Sequence, residues 1–452
     1  MKENDVVNWM YEKTQALLNE TGTMGDMEKV LNKVSKEICR KALEHLTQEK
    51  AIKQKLICHK CKCSMNVKEH NRQREVITSF GKINFVRSYG FCVNCDEHSF
   101  PADAALGLQE HAPASPRIQE ISALTTLRIP AGQAETDLYR LTGIKLCAST
   151  LHREARRQGE RALVLRDNDE LATQTPEGVA KLSANATVPE KEFTLIIEID
   201  AWNIRERDNW GQTKILQKSG EGTKRWHWVY TGTVFRLDQR CKTISGRPVI
   251  SERGYVATRK GLEGFQRQLY AEALQRGMLK ARNVLILADG AVWIWNIATD
   301  RFKEAKQRVD LYHVKEHLWD LAAELHGKGT EEAREWVRPF LQWLKSRKDG
   351  ALDIIESLQE IDPNVYTANQ QKILAREINY LDTHKNRMDY KNGKAMGEPI
   401  GSGAIESTCA QYQRRFKLTG QFWSLAGDEA FLALATIHRN KRWNQLFSHD
   451  LN

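Results

Sequence analysis

At 452 residues, with 68 Lys and Arg against 58 Asp and Glu and a formal charge of +10, the chain exceeds what one compact core accommodates and predicts several domains. No apolar run approaches the ~20 residues of a membrane-spanning helix, and the N-terminus, with Glu3 and Asp5 and no apolar stretch, does not read as a signal peptide. The basic excess suits a polyanionic partner, although charge alone does not separate such a protein from a merely soluble basic one.

Residues 1–52 predict a helical N-terminal region. Met27, Val30, Leu31, Val34, Ile38, Ala42 and Leu46 recur at intervals of three and four and form one apolar stripe. The stripe is expected to pack on its own domain, and is short for a dimerising seam. Residues 53–112 predict a zinc ribbon. Cys58 and Cys61 form one Cys-x-x-Cys pair, and Cys92 and Cys95 a second. Between them Glu75–Thr78, Gly81 and Ile83–Val86 read as a hairpin, with one pair at each end. Two residues between cysteines let both thiolates reach one ion, and four thiolates make a closed tetrahedral Zn²⁺ site. Cys63 is a spare that competes with Cys61. A redox dithiol would need one such pair beside a βαβ unit. In a cytosolic chain the cysteines stay reduced, so clustered ones predict metal rather than disulfides. The lone Cys39, Cys147, Cys241 and Cys409 are expected to be buried small apolar residues.

Residues 113–165 suggest a helix-turn-helix-like DNA-binding domain. Helices are expected near Ile118–Leu127 and Ala131–Leu141, with Gly143 turning the chain and Ser149 capping a third helix. Arg153, Arg156 and Arg157 on that helix would meet phosphates or guanines; the alternative is a solvated basic face in a small bundle. Residues 166–191, with Pro176 and Pro189, read as a linker with one short helix.

Residues 192–313 predict the first part of an α/β core. The strand Phe193–Asp200 ends in an acid, and Asn283–Ala288 runs into Asp289. Glu198 shares a strand face with Asp200 and is a rival ligand; Asp200 is preferred because an open α/β site forms at strand C-terminal ends. Between the two acids come strands at 226–235 and 254–258 and a helix marked by Leu262, Phe265, Leu269, Ala273 and Leu274. Asp310 and His313 follow in a strand running into a helix. They read either as supports for the site, with His313 a phosphate contact, or as junction packing. Residues 314–398 predict an all-helical insertion, and residues 399–452 the final helices of the core. Ser402 is expected to cap the helix carrying Glu406, whose first-turn position favours the ionised form. Ile405, Cys409, Tyr412 and Phe416 make the buried stripe of that helix, leaving Arg414, Arg415 and Lys417 on the exposed side for DNA.

Ile197–Asp200, Ala288–Asn296, Asp310–His313 and Pro399–Ser407, taken in order, resemble the DDE transposases of bacterial insertion sequences. The similarity is to the Kra-type (ISKra) group of the mutator-like, RNase H-like superfamily, and runs from about Cys58 to about Trp443. One departure is Asp200-Ala201, where the family more often has Asp-Gly. The resemblance implies a multidomain α+β protein with an RNase H-like core, in which Asp200, Asp289 and Glu406 hold two Mg²⁺ or Mn²⁺ ions. It also implies double-stranded DNA partners (terminal inverted repeats and target DNA), a homo-oligomer bridging two ends, and a place in the bacterial cytoplasm at the nucleoid. The alternatives are a stand-alone nuclease of the same fold and a non-catalytic repressor keeping the zinc ribbon and helix-turn-helix.

Overall fold

The computed structural model describes residues 3–17, 22–184, 186–207, 215, 218–219 and 225–447. The readings above that fall on other positions, in the N-terminal region, the linker, the first part of the core and the C-terminal end, lie outside the described residues. The chain divides into two compact units, an N-terminal one ending at Gln158 and a C-terminal one of Gly159–Leu446.

In the N-terminal unit, α1 (Glu3–Gln15) precedes α2 (Met24–Ile52), which starts on a Thr23–Asp26 capping box. The hairpin β1 (Asn66–Thr78) and β2 (Gly81–Cys92) turns through Ser79-Phe80, and β3 (Glu97–Ser99) adds a third strand beside β2. The face of α2 that packs on the hairpin is offset from the apolar stripe, of which Val34 is buried and Val30 and Ile38 are half-buried. Leu43 and Ala51 meet Val76, Ile83 and Phe85, while Met27, Leu31 and Leu46 are exposed. The hairpin selects the face. Gln48 both donates to and accepts from the backbone of Val86 (3.1 and 2.8 Å), and Glu44 accepts from Asn84 N (2.7 Å). These polar side chains satisfy an open strand edge, and leave Met27 and Leu31 outward.

After α3 (Pro101–Ala105), three helices follow: α4 (Pro116–Arg128), α5 (Ala131–Thr142) and α6 (Ala148–Ala172). Ile118, Ala134, Leu138, Ile144, Leu146 and Leu151 form their core. Gly143 ends α5 in the left-handed conformation (φ 67°) that glycine adopts without strain. The cap of α6 lies two residues earlier than expected. Leu151 N donates to Cys147 O (3.0 Å), and the Ser149 hydroxyl lies 3.2 Å from the Cys147 thiol.

In the C-terminal unit, residues 166–172 are the last turns of α6 and α7 (Pro176–Ala184) buries Leu182 against Ala271 and Leu274. This stretch therefore packs on the core. The strands are β4 (Thr194–Glu206), β5 (Arg225–Arg236), a β6 (Arg240–Lys242) and β7 (Pro248–Ile250) ribbon, β8 (Gly254–Thr258), β9 (Asn283–Ala288) and β10 (Lys306–Val309). The main sheet has the order β10-β9-β4-β5-β8. β4, β5 and β8 pair antiparallel, whereas β9 and β10 run parallel to β4. The parallel connections are made by α8 (Gly261–Gln275) and α9 (Val292–Arg301), since a parallel crossover needs an intervening element. On one sheet face Leu195, Ile197 and Ile199 pack with Phe265 and Leu269 of α8. On the other, Ile196, Phe235 and Leu285 meet Ala404 of a later helix, Gly403–Phe416. Glu198 and Asp200 share that second face by strand alternation.

Between β10 and α15 (Gly403–Phe416) the chain is helical: α10 (Leu311–His326), α11 (Glu331–Ser346), α12 (Gly350–Gln359), α13 (Ala368–His384) and α14 (Tyr390–Ala395). Leu318, Val337, Phe340, Ile354, Leu374 and Leu381 join them to the core of the sheet. α16 (Leu425–Arg439) closes the unit. Among the described residues no helix is long and apolar enough to cross a membrane.

Candidate functional site

Strand register places the acids. The parallel pairing of β4 with β9 ends at Glu198↔Leu287, and Asp200 and Asp289 each lie two residues further on. The pairing of β9 with β10 ends at Ala288↔Val309, so Asp310 follows beside Asp289. Three aspartates thus stand where neighbouring parallel strands stop, the open end of an α/β sheet. Asp200 is not at the end of its own strand, because β4 runs on to Glu206 against β5. What exposes it is the end of β9.

Glu406 lies in the first turn of α15, exposed, on the helix that covers the same sheet face. Asp200 is raised above the usual carboxylate range by burial, reinforced by the charge of Asp289 and opposed by the Ala201 N–H. Glu406 is also raised, by burial and then by the charges of Asp310, Asp200 and Glu316. The shift runs opposite to the ionised form that a first-turn position favours, with loss of solvent as its main cause.

Two buried acids fix this helix rather than joining that set. Glu198 is 1% exposed and accepts from Ile405 N (2.8 Å), pinning the first turn of α15 to β4. Burial, with a contribution from Asp310, pushes it up to about 8. Asp310 caps α10, accepting from Tyr312 N (2.5 Å) and His313 N (3.1 Å) through Oδ1. Its Oδ2 accepts from the backbone N–H of Ser402 and from the Ser402 hydroxyl. Ser402 occupies the N-cap position of α15, but its side chain is spent on Asp310 and makes no cap bond. Gly401 is required here, since a Cβ would stand 2.7 Å from the Tyr312 ring. Arg308, 1% exposed, holds the preceding loop through Glu398 (2.6 Å) and Pro399 O (3.0 Å).

The helical segment supplies a ring cluster that the sequence reading did not single out. Tyr380 donates to Asp289 O (3.4 Å), and its hydroxyl would lie 3.1 Å from a Cβ at Gly290. The His317 ring stacks on Tyr380 with centroids 3.8 Å apart, and its Nδ1 meets Glu377 at 2.7 Å. His313 lies edge-on to His317 at 5.0 Å, and its Nδ1 is 3.5 Å from Glu316. Burial holds His384 down at about 4, so it is neutral. The available signal was the i, i+4 spacing of His313 with His317 and of Tyr380 with His384, which puts each pair on one helix face.

Among the basic residues, Arg153 and Arg156 are exposed on α6. Arg157 is half-buried and paired with the fully buried Glu154 (3.3 Å). Arg414 and Lys417 are exposed, but Arg415 is buried. Its guanidinium lies over Trp423 (5.2 Å) and Phe431 (5.8 Å), and burial lowers it to about 10. Arg415 neighbours Phe416 and follows Tyr412 by three positions, so the helix turns it into the buried face. Exposed Trp226 and Trp228 share one face of β5, with Arg205 over Trp226 at 4.9 Å and Lys417 at 5.9 Å.

The cysteine site belongs to the N-terminal unit. The sulfurs of Cys58, Cys61, Cys92 and Cys95 all lie within 4.8 Å of one another. Cys58 and Cys95 are 3.8 Å apart, and Cys61 and Cys92 are 3.4 Å apart. A Zn–S bond of ~2.3 Å sets a tetrahedral S···S edge of ~3.8 Å, so the four thiolates fit one Zn²⁺. Hydrogen bonds from the backbone of Cys61 and Lys60 hold the Cys58 thiol down at about 6. Cys63 is exposed and accepts from Asn94 (3.1 Å), outside the set. Of the lone cysteines only Cys409 is buried, 3.5 Å from Asp200 Oδ2; Cys39 is half-buried, and Cys147 and Cys241 are exposed. Both exposed ones lie outside regular helix or strand packing or on a small edge ribbon, where no core covers them.

No protein-family model and no curated protein matches the chain. Among solved structures, a Drosophila P element transposase strand transfer complex aligns over 73% of this chain and 80% of its own, at 11% identity and a TM-score of 0.23. A likeness that low bears on neither fold nor function, and the functional reading rests on the chain itself.

Proposed function

We propose that this protein is a DDE-type DNA transposase with an RNase H-like core, as its resemblance to the Kra-type group implies. The observation that carries the reading is the placement of Asp200 and Asp289 at adjacent strand positions with Glu406 on the helix covering that face. The strand order and directions support it, because an RNase H-like core has the same arrangement of three antiparallel strands followed by two parallel ones.

Asp200, Asp289 and Glu406 present oxygen donors suited to hard cations and would hold Mg²⁺ or Mn²⁺. The bound ions would supply the Lewis-acid charge that phosphodiester cleavage and strand transfer need. Glu198 and Asp310 position the Glu406 helix, and Tyr380 with the His317 stack backs Asp289. Hydrolysis at a transposon 3′ end frees a 3′-hydroxyl, which then attacks a target phosphodiester; each step exchanges one P–O bond for another. His313 stands at the rim to orient a phosphate. Arg414 and Lys417, with Arg153 and Arg156 of the helix-turn-helix-like segment, would meet the DNA backbone, while the zinc ribbon is structural. The working form is a homo-oligomer holding two inverted repeats at the bacterial nucleoid.

The test is incubation with labelled DNA carrying the element's ends and Mg²⁺ or Mn²⁺, with cleaved and strand-transferred products resolved on a gel. Joined products support the transposase. Cleavage without joining indicates a stand-alone nuclease, and binding without cleavage a repressor.

A further inference from the structure

The sheet face opposite the acids is left open where β4 and β5 run on past the end of β9. Arg205 pairs with Trp226, Asn203 with Trp228 and Ala201 with Tyr230, so strand alternation puts all six on that face. α8 covers its near end, where the Tyr230 ring packs on Phe265 with centroids 5.9 Å apart. Beyond that cover Trp226 and Trp228 are each 55% exposed. Tryptophan is highly buried on average. Two uncovered at successive positions of one strand face form a patch, unlike the singly scattered apolar residues of an ordinary surface. The charge around them has one sign. Exposed Arg205 lies between two rings, 4.9 Å from the centre of Trp226 and 5.8 Å from that of Phe422. Exposed Lys417 approaches Trp226 from the end of the Glu406 helix, at 5.9 Å. Neither strand places an acidic residue on this stretch of the face. The aromatic row also leads toward the acids: Tyr230 meets Trp293 edge-on at 5.2 Å, and Trp293 stands in the first turn of α9, just after Asp289 and Gly290.

We propose that this face binds a single DNA strand, stacking unpaired bases on Trp226 and Trp228 while Arg205 and Lys417 meet the phosphates between them. Every base has a π-face, so an indole holds a base of any identity, and cations beside the rings track the backbone. A polyanion matches a strip that carries positive charge and no carboxylate. Paired bases are stacked on one another and present no face to an indole, so the site selects single strands over duplex. The choice of DNA as the strand rests on the transposase reading; the stacking chemistry does not.

The test uses the full zinc-loaded chain without Mg²⁺ or Mn²⁺. Fluorescence anisotropy follows binding of a labelled oligothymidine and, separately, of a blunt duplex of the same length. Trp226→Ala and Trp228→Ala are each expected to weaken oligothymidine binding about tenfold and to leave duplex binding unchanged. Trp226→Phe and Trp228→Phe, which keep an aromatic face, should retain most of the affinity. The second measurement does not depend on how the alanine variants fold. Oligothymidine should quench the tryptophan emission of the wild type, and quench the Trp226→Phe, Trp228→Phe double variant less. Alanine variants that bind oligothymidine as the wild type does, or that lose oligothymidine and duplex binding equally, would overturn the proposal. So would a wild-type dimer that the alanine substitutions dissociate without loss of oligothymidine binding, since the face would then cover a second copy of the chain. Neither measurement involves cleavage, so failure of the transposase reading would be seen separately, as absence of metal-dependent cutting.

Discussion

The cysteine cluster of the N-terminal unit and the carboxylate cluster of the C-terminal unit gather like ligands in opposite ways. The cysteines come as two short pairs at the ends of one hairpin, so a single strand pairing brings all four sulfurs within 4.8 Å. The acids come from two strands and a helix more than a hundred positions further along, and the sheet must form before they meet. The local cluster needs no helpers. The distant one is held by buried groups that are not themselves members of it: Glu198 on Ile405 N, Asp310 on Ser402, and Arg308 on Glu398.

That contrast breaks most sharply at Asp289. Asp289→Asn should lower cleavage by roughly a thousandfold or more, on the scale of removing a principal electrostatic element of a site. Zinc content and duplex binding should be unchanged, since neither depends on that carboxylate; wild-type cleavage by the variant would remove Asp289 from the mechanism. Stripping zinc comes next. Structural sites carry an apparent ~10–16 kcal/mol of metal binding in zinc-finger peptides. Chelation, or a Cys58→Ser and Cys92→Ser pair, should therefore abolish the thermal transition of the N-terminal unit and leave that of the C-terminal unit in place. Calorimetry checks this, and a single unaltered transition would deny the ribbon its metal.

The helpers should show smaller, separable effects. Asp310→Ala leaves Ser402 and the start of α10 without their acceptor, which costs about 1–3 kcal/mol. By shifting the Glu406 helix it should lower the rate about a hundredfold. A stable variant with full activity would make Asp310 incidental. Glu198 offers a pH signature. Its folded pKa, about 8, is above its ordinary value of 4.5. The stability it contributes is therefore fully present below pH ~4.5 and is lost as pH rises through about 8. Glu198→Gln imitates the protonated acid and keeps an acceptor for Ile405 N–H. It should flatten the fall in melting temperature between those limits, and an unchanged slope would show that Glu198 is ionised when folded.

Much of the molecule was legible before folding. The hairpin between the cysteine pairs, the apolar strand that carries Asp200 and the one that runs into Asp289, and the helical run after His313 all carry local periodicity, although the first of these strands continues past Asp200 to Glu206. The misreadings share a cause, which is that tertiary partners choose among faces a pattern leaves open. The stripe of Met27 and Leu31 looked like the packing face of α2, but Glu44 and Gln48 were claimed by a strand edge. Arg415 looked solvated, but Trp423 and Phe431 offered it an aromatic surface. Ser402 looked like a cap, but Asp310 competes for its hydroxyl. Glu198 and Asp200 share a strand face and differ only in what covers them, which no strand pattern encodes. The His317–Tyr380 stack joins two helices whose register depends on the whole helical segment.

The central claim is that Asp200, Asp289 and Glu406 share divalent cations. Mn²⁺ electron paramagnetic resonance on the DNA-bound protein tests it directly. The account predicts a pair of bound, spin-coupled ions ~3.5–4 Å apart, lost together in Asp289→Asn while zinc remains. Bound Mn²⁺ that is unaffected by Asp289→Asn, or no bound Mn²⁺ in the wild type, would contradict it.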